Sequence, residues 1–252
     1  MMKRVFITGV STGIGHALAS QYLGLGYDVV GVSRQPPEDL LANPHFHFCA
    51  CDLTDIPTAR PLLEQLLAQH HSHGFEVAYL NAGTFGEPPS LATQTSVEAF
   101  TAVLDINLVA VKWVLDVLLG AAQRPQTVCF SASVAGVRQR AGMLSYCVSK
   151  AALNALVKVY QLENPDVFFA LLGLCNVDTL VARTILGAHE RFTDLAGLRE
   201  RAAQPGYVVS PQQRARQIVT VLQQHQAIGL VSGNFQEIRP LLEHLNKEVH
   251  AL

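Results

Sequence analysis

The chain has 252 residues, 49% of them hydrophobic and only 15% charged, with a formal net charge of −2. Globular chains average about 25% charged residues, so intrinsic disorder is excluded and a core buried on several faces is implied. The charge balance leaves no basic footprint for nucleic acid, and no apolar run reaches a membrane span. The five cysteines lack framework spacing, and residues 1–10 hold no long apolar region, so a cytoplasmic protein without a secretory signal is expected.

Short, nearly continuous apolar runs at residues 4–8, 28–32, 45–51, 76–80, 127–131, 167–174 and 228–232 read as strands covered on both faces. Between them lie segments of helical period at 13–25, 57–70, 97–119, 146–162 and 211–224. Pro57 behind Asp55 and Pro211 behind Ser210 look like first-turn prolines following a cap. The alternation predicts one α/β domain over residues 1–252, a doubly wound, seven-stranded parallel sheet with helices on both faces. The insertion 180–209, punctuated by Gly187, Gly197, Pro205 and Gly206, falls at the carboxyl end of that sheet, where long insertions commonly cover a substrate.

The first strand runs directly into Thr8-Gly9-Val10-Ser11-Thr12-Gly13-Ile14-Gly15. Gly9 permits the tight turn, Gly13 lets a pyrophosphate approach the backbone, and Gly15 lets the helix pack on the sheet. The helix N-terminus offers free N–H groups and partial positive charge to phosphates. Any tight strand–helix turn can use glycines; the position after an opening strand is what points to a Rossmann-type dinucleotide site. The second strand ends at Ser33-Arg34, where the ribose contact is expected. An acid there would bind the 2′-hydroxyl of NAD, whereas a guanidinium grips a 2′-phosphate. Such a bond is worth about 1.5–3 kcal/mol, so NADP(H) is expected to be favoured roughly ten- to a hundredfold. The alternative is a solvated surface arginine.

Tyr146 and Lys150 stand four apart, on one face of a helix. A free phenol has a pKa near 10, and a neighbouring ammonium lowers it by about 1–3 units. Tyr146 can then donate a proton to a carbonyl oxygen while hydride attacks the carbon. A Tyr-x-x-x-Lys pair alone is usually solvated helix surface. What lifts it is Ser133, thirteen residues upstream at the end of the fifth strand, where a hydroxyl can hold and polarise the carbonyl. Asn107 interrupts an otherwise apolar helix; its plain alternative is a satisfied core amide.

Together these residues resemble the classical short-chain dehydrogenase/reductase family over nearly the whole chain. Residues 8–15 are similar to its cofactor turn, Asp52 with Leu53 to its adenine contact, and Asn81-Ala82-Gly83 to the motif that steadies its central sheet beside the cofactor. Asn107, Ser133, Tyr146 and Lys150 match its catalytic tetrad. The resemblance implies that Lys150 also holds the nicotinamide ribose and that Asn107 anchors a water for proton resupply. It further implies that Val177 and Thr179 meet the cofactor, and that the chain forms a homodimer or homotetramer through its long helices. The activity implied is NADP(H)-dependent interconversion of a carbonyl and an alcohol on a small molecule.

Two departures stand out. Cys175-Asn176 replaces the usual Pro-Gly after the sixth strand, with Asn expected to supply any left-handed residue. Thr12 stands where many NADP-preferring members have a basic residue, so cofactor choice rests on Arg34. The short link Leu162-Glu163-Asn164-Pro165 resembles the sepiapterin and benzil reductase branch, which reduces vicinal dicarbonyls. The rival reading is a non-catalytic NADP-binding sensor or scaffold, against which the paired Tyr146 and Lys150 argue. No metal is expected: His70, His71 and His73 follow a helix without a carboxylate pair, and Cys49 with Cys51 do not make a zinc site. The substrate pocket is expected from residues 84–91, 135–144 and 180–209. Arg138 and Arg140 there are suited to an anionic substrate, though exposed loop arginines are commoner.

Overall fold

Alternate side chains of the first strand, β1 (Arg4–Thr8), enter opposite cores: Val5 and Ile7 one, Phe6 the other, all fully buried. A strand apolar on both sides can be stable only with a layer on each face, and that requirement organises the molecule. The computed structural model describes residues 2–70 and 74–249. Chain order runs α1 (Gly13–Gly24), β2 (Asp28–Ser33), β3 (Phe46–Ala50), α2 (Ile56–His70), β4 (Val77–Leu80), α3 (Val97–Leu104) and α4 (Ala110–Gly120). It continues through β5 (Thr127–Ala132), α5 (Leu144–Glu163), β6 (Phe168–Gly173), α6 (Leu180–Leu186), α7 (Thr193–Ala202), α8 (Pro211–Gln223), β7 (Phe235–Glu237) and α9 (Ile238–Val249). The described residues form one seven-stranded sheet, ordered β3-β2-β1-β4-β5-β6-β7, with every pairing parallel. Helices α1, α8 and α9 bury one face, and α2, α4 and α5 the other. This is the doubly wound architecture expected.

Local signals explain the elements. Ser210 accepts from the Gln213 N–H at 3.1 Å and Pro211 opens α8, as the cap signature anticipates. Four expectations need correction. The seventh strand is Phe235–Glu237 rather than 228–232: the earlier apolar run is folded into turns by Gly229 and Gly233, both at positive φ, while Ile228 and Leu230 fill the core without joining the ladder. The 97–119 helix is divided by a π-helical turn, Asp105–Val109, which hydropathy cannot register because the apolar character continues through it. The C-terminal α9 is an additional helix, laying Ile238, Leu241 and Leu245 on the α1–α8 core. The left-handed residue after β6 is Cys175, at φ 58°, not Asn176. Asn176 is instead held by its backbone carbonyl, which accepts from Val209 N, while Asp178 N donates to Val209 O.

The insertion contains α6 and α7. Val181, Ile185, Ala188, Phe192 and Leu195 pack with Phe85, Met143 and Tyr146 in a third apolar cluster. The rings of His47 and His70 meet at a tilt of 34°, and His47 lies 4.0 Å from Asp28, which also accepts from His45 Nδ1 at 2.9 Å. His71 and His73 lie outside the described residues.

Arg214 on α8 is only 2% exposed, and its Nε and Nη1 have no hydrogen-bond partner among the described residues. An unsatisfied buried donor costs about 1–3 kcal/mol. Arg214→Met should therefore raise the unfolding free energy by about that amount in urea melts; a less stable variant would show that the guanidinium is satisfied.

Candidate active site

At the carboxyl edge of the sheet, polar side chains complete what the strand ladders leave open. Thr8 Oγ1 accepts from the Asn81 and Ala82 N–H groups, both at 3.0 Å. Asn81 Nδ2 donates to Thr8 O at 3.3 Å, and its Oδ1 accepts from Ser131 Oγ at 2.9 Å. Ser131 O then accepts from Lys150 Nζ at 2.8 Å. This chain of bonds joins β1, β4, β5 and α5. Gly15 packs so closely here that a Cβ would lie 2.1 Å from Gly9 O, so the expected tight helix–sheet contact is real.

On one side of this edge lies the start of α1. Gly9 and Gly13 take positive φ, and Thr12, in extended backbone, gives the helix no side-chain cap. The first-turn N–H groups remain available to an anion. Ser33 lines the cleft, its hydroxyl donating to Gln35 O at 2.7 Å. Arg34 is exposed on the cleft wall and forms no ion pair among the described residues. Asp52 accepts from Thr54 N and Oγ1; these bonds, with Arg34 adding to them, hold its carboxyl below the usual range.

On the other side, α5 presents Tyr146, Ser149, Lys150, Leu153 and Val157 inward, the spacing of one helical face. Lys150 Nζ lies 5.6 Å from the Tyr146 ring centroid. The phenol is not acidified as the spacing suggested. Burial pushes Tyr146 up to about 12, against an opposing hydrogen bond with Ser133, and burial drops Lys150 from 10.5 to about 8. Desolvation disfavours both charged forms and is the largest cause of each shift. Ser133 begins a single 3₁₀ turn, its Oγ accepting from Ala135 N at 3.2 Å.

Asn107 sits in the π-helical turn and is 1% exposed. Its Oδ1 accepts from Thr84 N at 2.8 Å, and Nδ2 donates to Thr84 O at 2.8 Å and to Ser149 Oγ at 3.0 Å. Ser149 Oγ donates in turn to Tyr146 O at 2.8 Å. Both amide hydrogens are therefore used within the protein, so the side chain positions α5 against the 84 loop. Sequence reasoning missed Thr84, Ser131 and Ser149; Ser149, a polar residue on the buried face of α5, carried a readable signal.

A cleft of about 1560 Å³ runs from the glycine turn to α7. Its walls include Gly9, Ser11, Thr12, Gly13, Ile14, Ser33, Arg34, Asp52, Leu53, Asn81, Ala82, Gly83, Ser133, Tyr146, Lys150, Val177 and Thr179. Of the expected site residues, Gly15 and Asn107 lie behind the wall. Thr179 caps α6, accepting from Ala182 N at 3.4 Å. No His, Cys, Asp or Glu group suited to a metal occurs among the described residues, nor any helix long and apolar enough to cross a membrane.

Residues 3–168 match the short chain dehydrogenase family model, and the chain belongs to that family of oxidoreductases. A Bacillus cereus benzil reductase forming (S)-benzoin is 26% identical over 240 residues, 88% of this chain and 94% of its own. An NADPH-dependent 3-dehydrocapnine reductase of Ornithobacterium rhinotracheale is 28% identical over 173 residues, 64% of this chain and 60% of its own. A solved short-chain dehydrogenase/reductase of Saccharomyces cerevisiae superposes with a TM-score of 0.77 at 22% identity, covering 96% of this chain and 99% of that one.

The depressed Lys150 pKa has a thermodynamic signature. Unfolded chains protonate this lysine below 10.5, the folded protein only below about 8. Stability relative to Lys150→Met should fall as the pH drops through that window and stay level beneath it. Denaturant unfolding of both proteins across the window measures this; a constant difference would mean that Lys150 titrates normally.

Proposed function

We propose that the protein is an NADP(H)-dependent oxidoreductase interconverting a carbonyl and an alcohol on a small molecule. The observation that carries this reading is a single cleft in which Tyr146, Lys150 and Ser133 share a wall continuous with the open N-terminus of α1. The residues fit a dinucleotide: left-handed Gly9 and Gly13 both line the cleft, and a Cβ at Gly13 would meet only Thr179 Cγ2, at 3.5 Å. The bound nicotinamide would supply or accept the hydride. The α1 N-terminus would hold the pyrophosphate, Asp52 and Leu53 the adenine, and Lys150 the nicotinamide ribose, with Ala82, Gly83, Val177 and Thr179 alongside. Unpaired Arg34 would grip a 2′-phosphate. A dicarbonyl substrate is supported by the benzil reductase relative, and NADPH by the dehydrocapnine reductase.

Burial keeps Tyr146 protonated at neutral pH, the form that a reduction needs, and Ser133 would polarise the carbonyl that receives its proton. Lys150 contributes electrostatically once the transition state places negative charge on the oxygen, and Asn107 with Ser149 fixes the helix that carries both. The 180–209 insertion, packed on the Tyr146 ring, would close the substrate side.

Tyr146→Phe keeps the ring packing on Phe85 and removes the proton. Turnover of 1,2-diketones, followed by NADPH oxidation, should drop by a factor of about 10²–10⁴ while NADPH binding persists; full activity would refute the assignment. Arg34→Ala should erase a roughly ten- to hundredfold preference for NADPH over NADH in kcat/KM. Equal use of the two cofactors by the unaltered protein would remove Arg34 from the cofactor site.

A further inference from the structure

Beyond Tyr146 the cleft is walled by the 134–143 segment and by α6 and α7. Three arginines meet that wall: Arg138 and Arg140 ahead of α5, and Arg201 in the last turn of α7. A further arginine on that wall is already paired. Arg183, on the same wall, is neutralised by Asp178 at 2.8 and 3.1 Å. Arg138, Arg140 and Arg201 have no carboxylate within ion-pair distance among the described residues. The Arg201 Nε donates only to a neutral group, the Tyr207 hydroxyl, at 3.2 Å.

Arg140 is the decisive member. Arg138 and Arg201 are exposed and hydrated, whereas Arg140 is half-buried. Burial, followed by the repulsion of Arg138, disfavours its charge, and the attraction of Asp194 offsets this in part. Asp194 is exposed at the start of α7 and forms no ion pair among the described residues. Arg140 lines the cleft, and none of its guanidinium nitrogens is both sealed from solvent and unpartnered among the described residues. A partly desolvated guanidinium facing two like charges and one distant carboxylate is electrostatically incomplete, and its planar fork suits a two-point oxyanion.

We propose that the carbonyl substrate carries an anion, carboxylate or phosphate, seated on Arg140 with Arg138 and Arg201 at its rim. This names the substrate class within the reductase reading above and rests on it. The uncharged members of the same chemical type would lack this anchor, so anionic substrates gain in KM, and the arginines take no part in proton transfer.

Two matched pairs separate the anion from the carbonyl, and carboxylate from phosphate: phenylglyoxylate against its methyl ester, and dihydroxyacetone phosphate against dihydroxyacetone. With NADPH at low ionic strength, one anion should exceed its neutral partner about ten- to a hundredfold in kcat/KM, the range of one charge-assisted bond. The advantage should shrink toward unity in Arg140→Gln and return in part in Arg140→Lys. Neutral members equal to or better than the anions in both pairs would overturn the proposal. Calorimetry of mandelate and of inorganic phosphate with the protein–NADP complex provides a readout independent of turnover. Binding of either that weakens about tenfold in Arg140→Gln supports the anion seat even if no carbonyl is reduced, an outcome that would strike the catalytic reading alone. Failure of both anions to bind, or binding indifferent to Arg140, sinks the anion seat.

Discussion

Where a parallel sheet ends, the last peptide groups of each strand have no further ladder to join, and in a buried edge each must find another partner. Thr8, Asn81 and Ser131 meet that demand by bonding across β1, β4 and β5. The same sequence of bonds terminates on Lys150. Scaffold and site therefore use one set of interactions. The lysine is fixed by a carbonyl that the sheet itself presents, and the cleft opens along the line where those strands stop. Asn107 does for the helical layer what Asn81 does for the sheet, tying the 84 loop, the π-helical turn and α5 into one unit. A π-helical turn is seldom retained without such a compensating function.

How much of this could be read from the chain depended on which force wrote each feature. The central strands were legible because burial on both faces demands uninterrupted apolar runs. The same criterion failed at 228–232, where apolar residues reach the core through turns set by left-handed glycines. Amphipathic spacing at Ile238, Leu241 and Leu245 did announce α9, and went unread. Tyr146, Ser133 and Lys150 were legible as residues that share a cleft, since their spacing fixes which face they occupy. Their ionisation was not, because desolvation is a property of everything packed around them. The role of Thr84 was hidden for a related reason: a hydroxyl in a loop is unremarkable until its partners are known. At the Cys175-Asn176 corner, residue preference pointed to Asn, but the pairing of Asn176 with Val209 fixes that residue and shifts the left-handed turn to Cys175.

Two halves of the cleft handle charge differently. Toward α1 the positive character comes from backbone N–H groups and one exposed arginine, an arrangement that is fully hydrated when open. Around α5 the groups are withdrawn from water, and both Tyr146 and Lys150 shift toward their neutral forms. Chemistry placed between these environments can develop charge only where a donor already waits for it, which is how preorganised sites favour a transition state over its ground state.

The Tyr146 ring belongs to the same apolar cluster as Phe192 and Leu195 of the 180–209 insertion. Its dryness is thus conferred from outside the sheet. Swinging that arm aside would let water reach the hydroxyl and draw its ionisation to lower pH. The ultraviolet titration of a single tyrosine then becomes an internal gauge of how firmly the arm is seated.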